Sequence, residues 1–164
     1  MAEHVQDYYA EQIWRGALSP ECDPDVLGDN TSLCSRIWAE IWNKGELTAC
    51  DEVFSADYLG HLPMMDVHGP EEFKQLVAAY RVAYPDVHLT VEDIFAVGDR
   101  VAVRWVSRGT HLGSMMGAPP SGNKIEIMGI SLFRIEDNKV AEEWEGFDTL
   151  KMMQQIGAIP VPTA

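Results

Sequence analysis

Positive charge is scarce in this sequence: 12 Lys and Arg stand against 26 Asp and Glu over 164 residues, a formal charge of −14. Such a surface opposes phosphate, which argues against a sequence-independent grip on nucleic acid and against docking to an anionic membrane. Long apolar runs are missing too, and nothing approaches the ~20 residues needed to span a bilayer. No basic segment followed by an apolar core opens the chain, so export is not expected and the expected location is cytoplasmic. The three cysteines, Cys22, Cys34 and Cys50, are odd in number and lack the C-x-x-C spacing of a zinc site, so reduced thiols are expected. Repeats and low-complexity tracts are absent as well. What is present, 46% apolar residues and five Trp, excludes disorder and suits one domain with a sizeable core.

The acids crowd the first 30 residues, where Ser19-Pro-Glu-Cys-Asp-Pro-Asp25 reads as a linker. Residues 1–30 are therefore expected to be an extension (a lid, arm or tail) to a domain over 31–164. Within that domain, Leu33, Ile37, Trp38, Ile41 and Trp42 recur at helical spacing after a cap at Asn30 or Thr31, with Gly45 closing the helix. A second short helix is predicted over about 46–54, an extended piece around Tyr58 to Leu62, and a third helix from Gly69-Pro70 to Pro85. Alternation then takes over, in four strands near 87–95, 100–107, 124–135 and 139–145, before a last short helix over 149–156. Helices gathered before an antiparallel meander give an α+β fold, a curved sheet wrapped over helices as a cone with an apolar interior.

Residues 109–122, Gly-Thr-His-Leu-Gly-Ser-Met-Met-Gly-Ala-Pro-Pro-Ser-Gly, closely resemble a stretch of the SnoaL-like polyketide cyclases. These belong to the nuclear transport factor 2-like superfamily of cone-shaped α+β domains. The resemblance extends through Ile130–Val140 and Glu143-Trp-Glu-Gly-Phe-Asp148, with Asp57–His61 and Tyr84-Pro-Asp86 upstream, and covers roughly 31–157. It implies chemistry free of cofactor and metal: ring closure by intramolecular aldol condensation, with a carboxylate taking a proton from carbon. The acid/base Asp of the family matches Glu145 here, one methylene longer.

The residues can be weighed on their own. On a strand over 139–145, Ala141, Glu143 and Glu145 share one face, and two carboxylates together in an apolar pocket raise each other's pKa toward the range of a general base. Asp148 either caps the last helix or supports catalysis in the pocket. His61 is either a pocket histidine able to shuttle protons or an interior histidine satisfied by a carboxylate. His111 shapes the 113–122 loop or contacts substrate. No H-x-H or H-x-x-x-H pair suggests a metal site. Arg104 pairs with a pocket carboxylate or lies on the outer sheet face, and Arg134 faces away from Ser131 and Phe133. The doublets Met64-Met65 and Met115-Met116 fill core or line a mouth for a bulky apolar ligand.

These readings make Glu145, His61 and Asp148 the catalytic candidates, and Tyr58, Arg104, Trp105, His111, Met115, Ser131, Phe133 and Glu143 the substrate-binding ones. The expected activity is cofactor-independent cyclisation of a small, partly apolar carbonyl compound. The alternatives are a non-catalytic ligand-binding or dimerisation module, and epoxide hydrolysis by a set built on Arg104, Glu145 and Asp148. Apolar residues such as Ile130 and Leu132 on the outer sheet face predict a homodimer.

Overall fold

A computed structural model describes residues 24–160, with side chains from 28 onward. The reading of 1–23 as part of an extension, with Cys22, lies outside the described residues. Helix α1 (Pro24–Arg36) passes into a π-helical stretch over Ile37–Trp42, followed by the single turn α2 (Ala49–Val53). Gly45, at φ +73°, makes the left-handed exit that its position demands. The expected cap at Asn30 is corrected: α1 already runs through it, so the helix crosses the 30/31 boundary. Asn30 is buried and donates to the Gly98 carbonyl at 3.0 Å.

Strands β1 (Phe54–Leu62) and β2 (Met65–His68) form a hairpin, and α3 (Gly69–Ala83) follows. Pro70 stands at its first turn, and the Glu72 carboxylate accepts from the His68 N–H at 2.7 Å. Strands β3 (His88–Val97), β4 (Arg100–Thr110), β5 (Lys124–Glu136) and β6 (Lys139–Phe147) run as an antiparallel meander, and α4 (Thr149–Gln155) closes the fold. The sheet order is β2-β1-β6-β5-β4-β3. Four long strands were expected and are found. The extended piece around Tyr58 proves to be a full strand, paired parallel to β6 with Gly60 opposite Glu143. A parallel neighbour distant in sequence leaves no local turn signal.

Alternation along β4, β5 and β6 sends one set of side chains inward: Val101, Val103, Trp105 and Ser107; Ile125, Ile127, Ser131 and Phe133; Ala141 and Glu143. Against them pack Ile37, Trp38 and Ile41 from the first helical stretch and Phe73 and Val77 from α3. Phe133 meets the edge of Trp38 at 5.7 Å, inside this core. Cys34 and Cys50 are buried free thiols, and burial pushes Cys34 up to about 12. Among the described residues no helix is long and apolar enough to cross a membrane.

Candidate active site

The inner faces of β1, β4, β5 and β6 meet at two carboxylates. Register places Ser131 opposite Glu145 and Phe133 opposite Glu143, so both acids, which strand periodicity puts on one face, project to the inside. Two aromatic side chains reach this cluster by passing over glycines. A Cβ on Gly60 would stand 2.4 Å from the Tyr58 hydroxyl, and one on Gly129 would stand 2.2 Å from the Trp105 ring. With hydrogen there instead, Tyr58 crosses the sheet and donates to Glu143 Oε2 at 2.7 Å. Trp105 likewise crosses β5, and its indole N–H donates to Ser131 Oγ at 3.1 Å. The serine's own proton then turns toward Glu145 Oε2, at 3.4 Å.

Neither Glu143 nor Glu145 has a salt-bridge partner among the described residues. Burial raises Glu143, opposed by the hydrogen bonds from Tyr58 and Ser131. Glu145 is raised well above the usual carboxyl range, by burial first and the adjacent Glu143 charge second; the Ser131 contact offsets only part of this. The two titrate as a pair that holds a proton far above the pH at which an exposed glutamate gives it up.

The two acids differ in access. Glu143 is sealed in, whereas Glu145 borders two neighbouring chambers that share Trp42, Tyr80, Glu145 and Phe147. The inner chamber is small, about 40 Å³, and is further lined by Trp38, Leu89, Trp105, Ser107 and Ile127. The outer one, about 210 Å³, is almost wholly apolar, with Met64, Met65, Met115, Met116 and Met152 in its wall. The methionine doublets thus line a ligand-sized mouth, as one of their two readings had it. No cation stands among the residues lining either chamber.

Several expected site residues fall elsewhere. His61 is corrected: it belongs to the outer parity of β1, where its ring stacks on Trp144 at 5.6 Å and bridges Asp66 (3.3 Å) and Glu142 (3.2 Å). The Glu142 hydrogen bond holds its pKa above the ordinary histidine value. His61→Ala is therefore expected to leave turnover within about twofold of wild type, measured as kcat on any accepted substrate; a loss of ~10² would return the ring to the mechanism. Arg104 is also on the outer face, donating to Asp93 Oδ2 at 2.7 Å, so the Arg104–Glu145–Asp148 set required for epoxide opening does not assemble. Asp148 takes its capping alternative and accepts from the Lys151 N–H at 2.8 Å, away from both chambers.

His111 is fully buried beside Tyr84, with Nδ1 3.0 Å from Ser121 Oγ, and it ties the 113–122 loop down rather than facing the cavity. Tyr58, Glu143 and Ser131 stand behind Glu145 as its supporting shell, Phe133 is core, and Trp105 and Met115 alone of the expected binding residues line a chamber. Arg134 faces out, as its parity implied, and pairs with Glu142 at 3.1 Å. Sequence reasoning missed Ser107 and Trp42 as cavity residues. The signal for Ser107 was a hydroxyl in the apolar phase of a strand. Among the described residues no three His, Cys, Asp or Glu side chains gather as a metal-binding set.

Comparison with known proteins gives the chain as a whole its relatives. Residues 32–156 match the family model described as SnoaL-like polyketide cyclase. The chain is 28% identical over 134 residues to the aklanonic acid methyl ester cyclase DnrD of Streptomyces peucetius, covering 78% of this chain and 90% of that protein. It is 29% identical over 119 residues to the nogalonic acid methyl ester cyclase of Streptomyces nogalater, covering 71% and 89%. Among solved structures, TsrD from Streptomyces laurentii superposes with a TM-score of 0.75 at 26% identity, over 85% of this chain and all of that one.

Proposed function

The chain belongs to the SnoaL-like polyketide cyclase family, and on that premise we propose that it closes a ring by intramolecular aldol addition, with Glu145 as both base and acid. The observation carrying this reading is the position of Glu145: a carboxyl without a salt-bridge partner, bordering both chambers, with a raised pKa. A carboxylate of ordinary acidity is a weak base toward carbon, and one neutralised by a cation is weaker still. Burial beside Glu143, with no cation in reach among the described residues, avoids both conditions.

The step balances within the substrate. Ionised Glu145 takes a proton from the carbon next to a carbonyl, and the C–H electron pair moves onto that carbonyl oxygen as an enolate. The enolate carbon attacks a second carbonyl of the same molecule, forming the C–C bond. The alkoxide left on the second oxygen takes back the proton that Glu145 holds. No atom is gained or lost, and no step draws on a cofactor.

The walls bear on the substrate class. A free acid entering the outer chamber would leave its carboxylate with no cationic partner and would face Glu145 in a molecule carrying −14. An uncharged ester avoids that cost. The two curated relatives are named for methyl esters, and an aromatic polyketide ester with an enolisable position is the substrate class we infer here. Comparing Glu145→Gln with wild type on such a panel tests the reading: lost turnover with retained binding supports it. A silent wild type that still binds ligands favours a binding module.

The outer sheet face supports self-association. Met128, Ile130, Leu132 and Trp144 are at least a third exposed and adjoin one another across β5 and β6, an apolar surface that a second copy would cover. Light scattering at micromolar concentration is expected to give twice the 18.3 kDa chain mass; a monomer would contradict this.

A further inference from the structure

Along the inward phase of β4, Val101, Val103 and Trp105 are the apolar residues that a core strand calls for, and Ser107 is not. Its side chain is 3% exposed, and its hydroxyl has no hydrogen-bond partner among the described residues. Burying a lone hydroxyl is unfavourable relative to burying a satisfied one, so a core role alone does not account for it. Ser107 lines the inner chamber together with Tyr80 and Glu145. The Trp105 N–H on the same wall is already committed to Ser131. The Tyr80 hydroxyl lies beside Ser107 and makes a long contact to the Met152 sulfur, at 3.8 Å.

Taking a proton from carbon moves negative charge onto a carbonyl oxygen, and that oxygen needs a donor fixed in place beforehand. Glu145 cannot supply one while it is ionised as the base. We propose that Ser107, with the Tyr80 hydroxyl beside the same chamber, is the donor that holds the enolate oxygen. The carbonyl to be enolised then enters the inner chamber, and the apolar body of the substrate stays among the methionines. The linings agree with this orientation: the smaller chamber carries the Ser107 and Tyr80 hydroxyls, and the larger is almost wholly apolar. Ser107 thereby selects which carbonyl of a polycarbonyl substrate becomes the nucleophile.

This assignment rests on the ring-closing reading, and its test separates the two. Ser107→Ala is expected to lower kcat about 10² with KM within threefold, the pattern of a contact made only in the transition state. Its melting temperature is expected to stay level or rise, because an unpartnered hydroxyl is removed; a purely structural serine would show a fall. Binding of 4-nitrophenol at pH 6, followed by the phenolate absorbance, probes the donor without turnover, against 4-nitroanisole, which cannot ionise. Ser107→Ala is expected to weaken nitrophenol binding about tenfold and leave nitroanisole unchanged. Equal nitrophenol binding by both proteins, or none by either, overturns the role of Ser107 and leaves the role of Glu145 standing. Full turnover in Glu145→Gln would instead overturn the ring-closing reading, whatever nitrophenol does.

Discussion

Glu145→Gln is expected to cut turnover by about 10²–10⁴ and, at neutral pH, to make the protein more stable than wild type. Both effects have one cause. The buried carboxyl keeps its proton to a pH at which the unfolded chain has already released it. A group whose folded pKa is raised stabilises the fold fully only below its ordinary value. Between that value, 4.5, and the raised one, stability drains away as pH rises, because the unfolded state ionises and the folded state does not. Gln carries no such penalty. The two proteins should therefore unfold alike near pH 4 and diverge toward pH 8, by about 1.4 kcal/mol for each unit of upward shift, or about 2–4 °C in Tm per kcal/mol. Urea denaturation across that range checks the sign; a variant less stable than wild type at pH 8 would mean that the carboxyl is held by partners rather than strained. The rate profile gives a companion result. Activity should rise with pH as Glu145 ionises, and Glu143→Gln should move that rise to lower pH, because the neighbouring charge that hinders ionisation is gone.

Gly129→Ala is expected to cost about 1–3 kcal/mol or more, although it adds a single methyl group in a strand. The new Cβ would stand 2.2 Å from the Trp105 ring, and 2.6 Å from two further atoms of it, so the indole must leave the sheet. Trp105 is 5% exposed and pairs directly with Gly129, which allows no small adjustment of the backbone. When the ring moves, its N–H releases Ser131, and Ser131 loses the acceptor contact that turns its proton toward Glu145. Stability and kcat should fall together, and the Trp emission should shift to the red as the indole meets water. Trp105→Leu in the Gly129→Ala background should recover stability but not kcat, a coupling that a double-mutant cycle reads directly. Gly129→Ala with the stability of wild type would show that the ring does not need the space.

Periodicity alone determined the meander from His88 to Phe147 and the shared face of Glu143 and Glu145, because a strand's side-chain period is two wherever the strand goes. The same parity put Arg134 on the outer face. Composition determined an acidic domain with a core. Several other positions were decided only by tertiary structure. Nothing local distinguishes the two faces of an extended piece such as Tyr58 to Leu62: its parallel pairing with β6 sent Tyr58 to Glu143 and His61 outward to Glu142. The Asp93 partner for Arg104 depended on the β3–β4 register. The glycines under Tyr58 and Trp105 read as interruptions in sequence, yet they are what lets each ring cross to a neighbouring strand. Whether a carboxyl is sealed or open to a cavity depends on what packs over it, and for Glu143 and Glu145, two residues apart on one face, only the surrounding helices and loops make that difference.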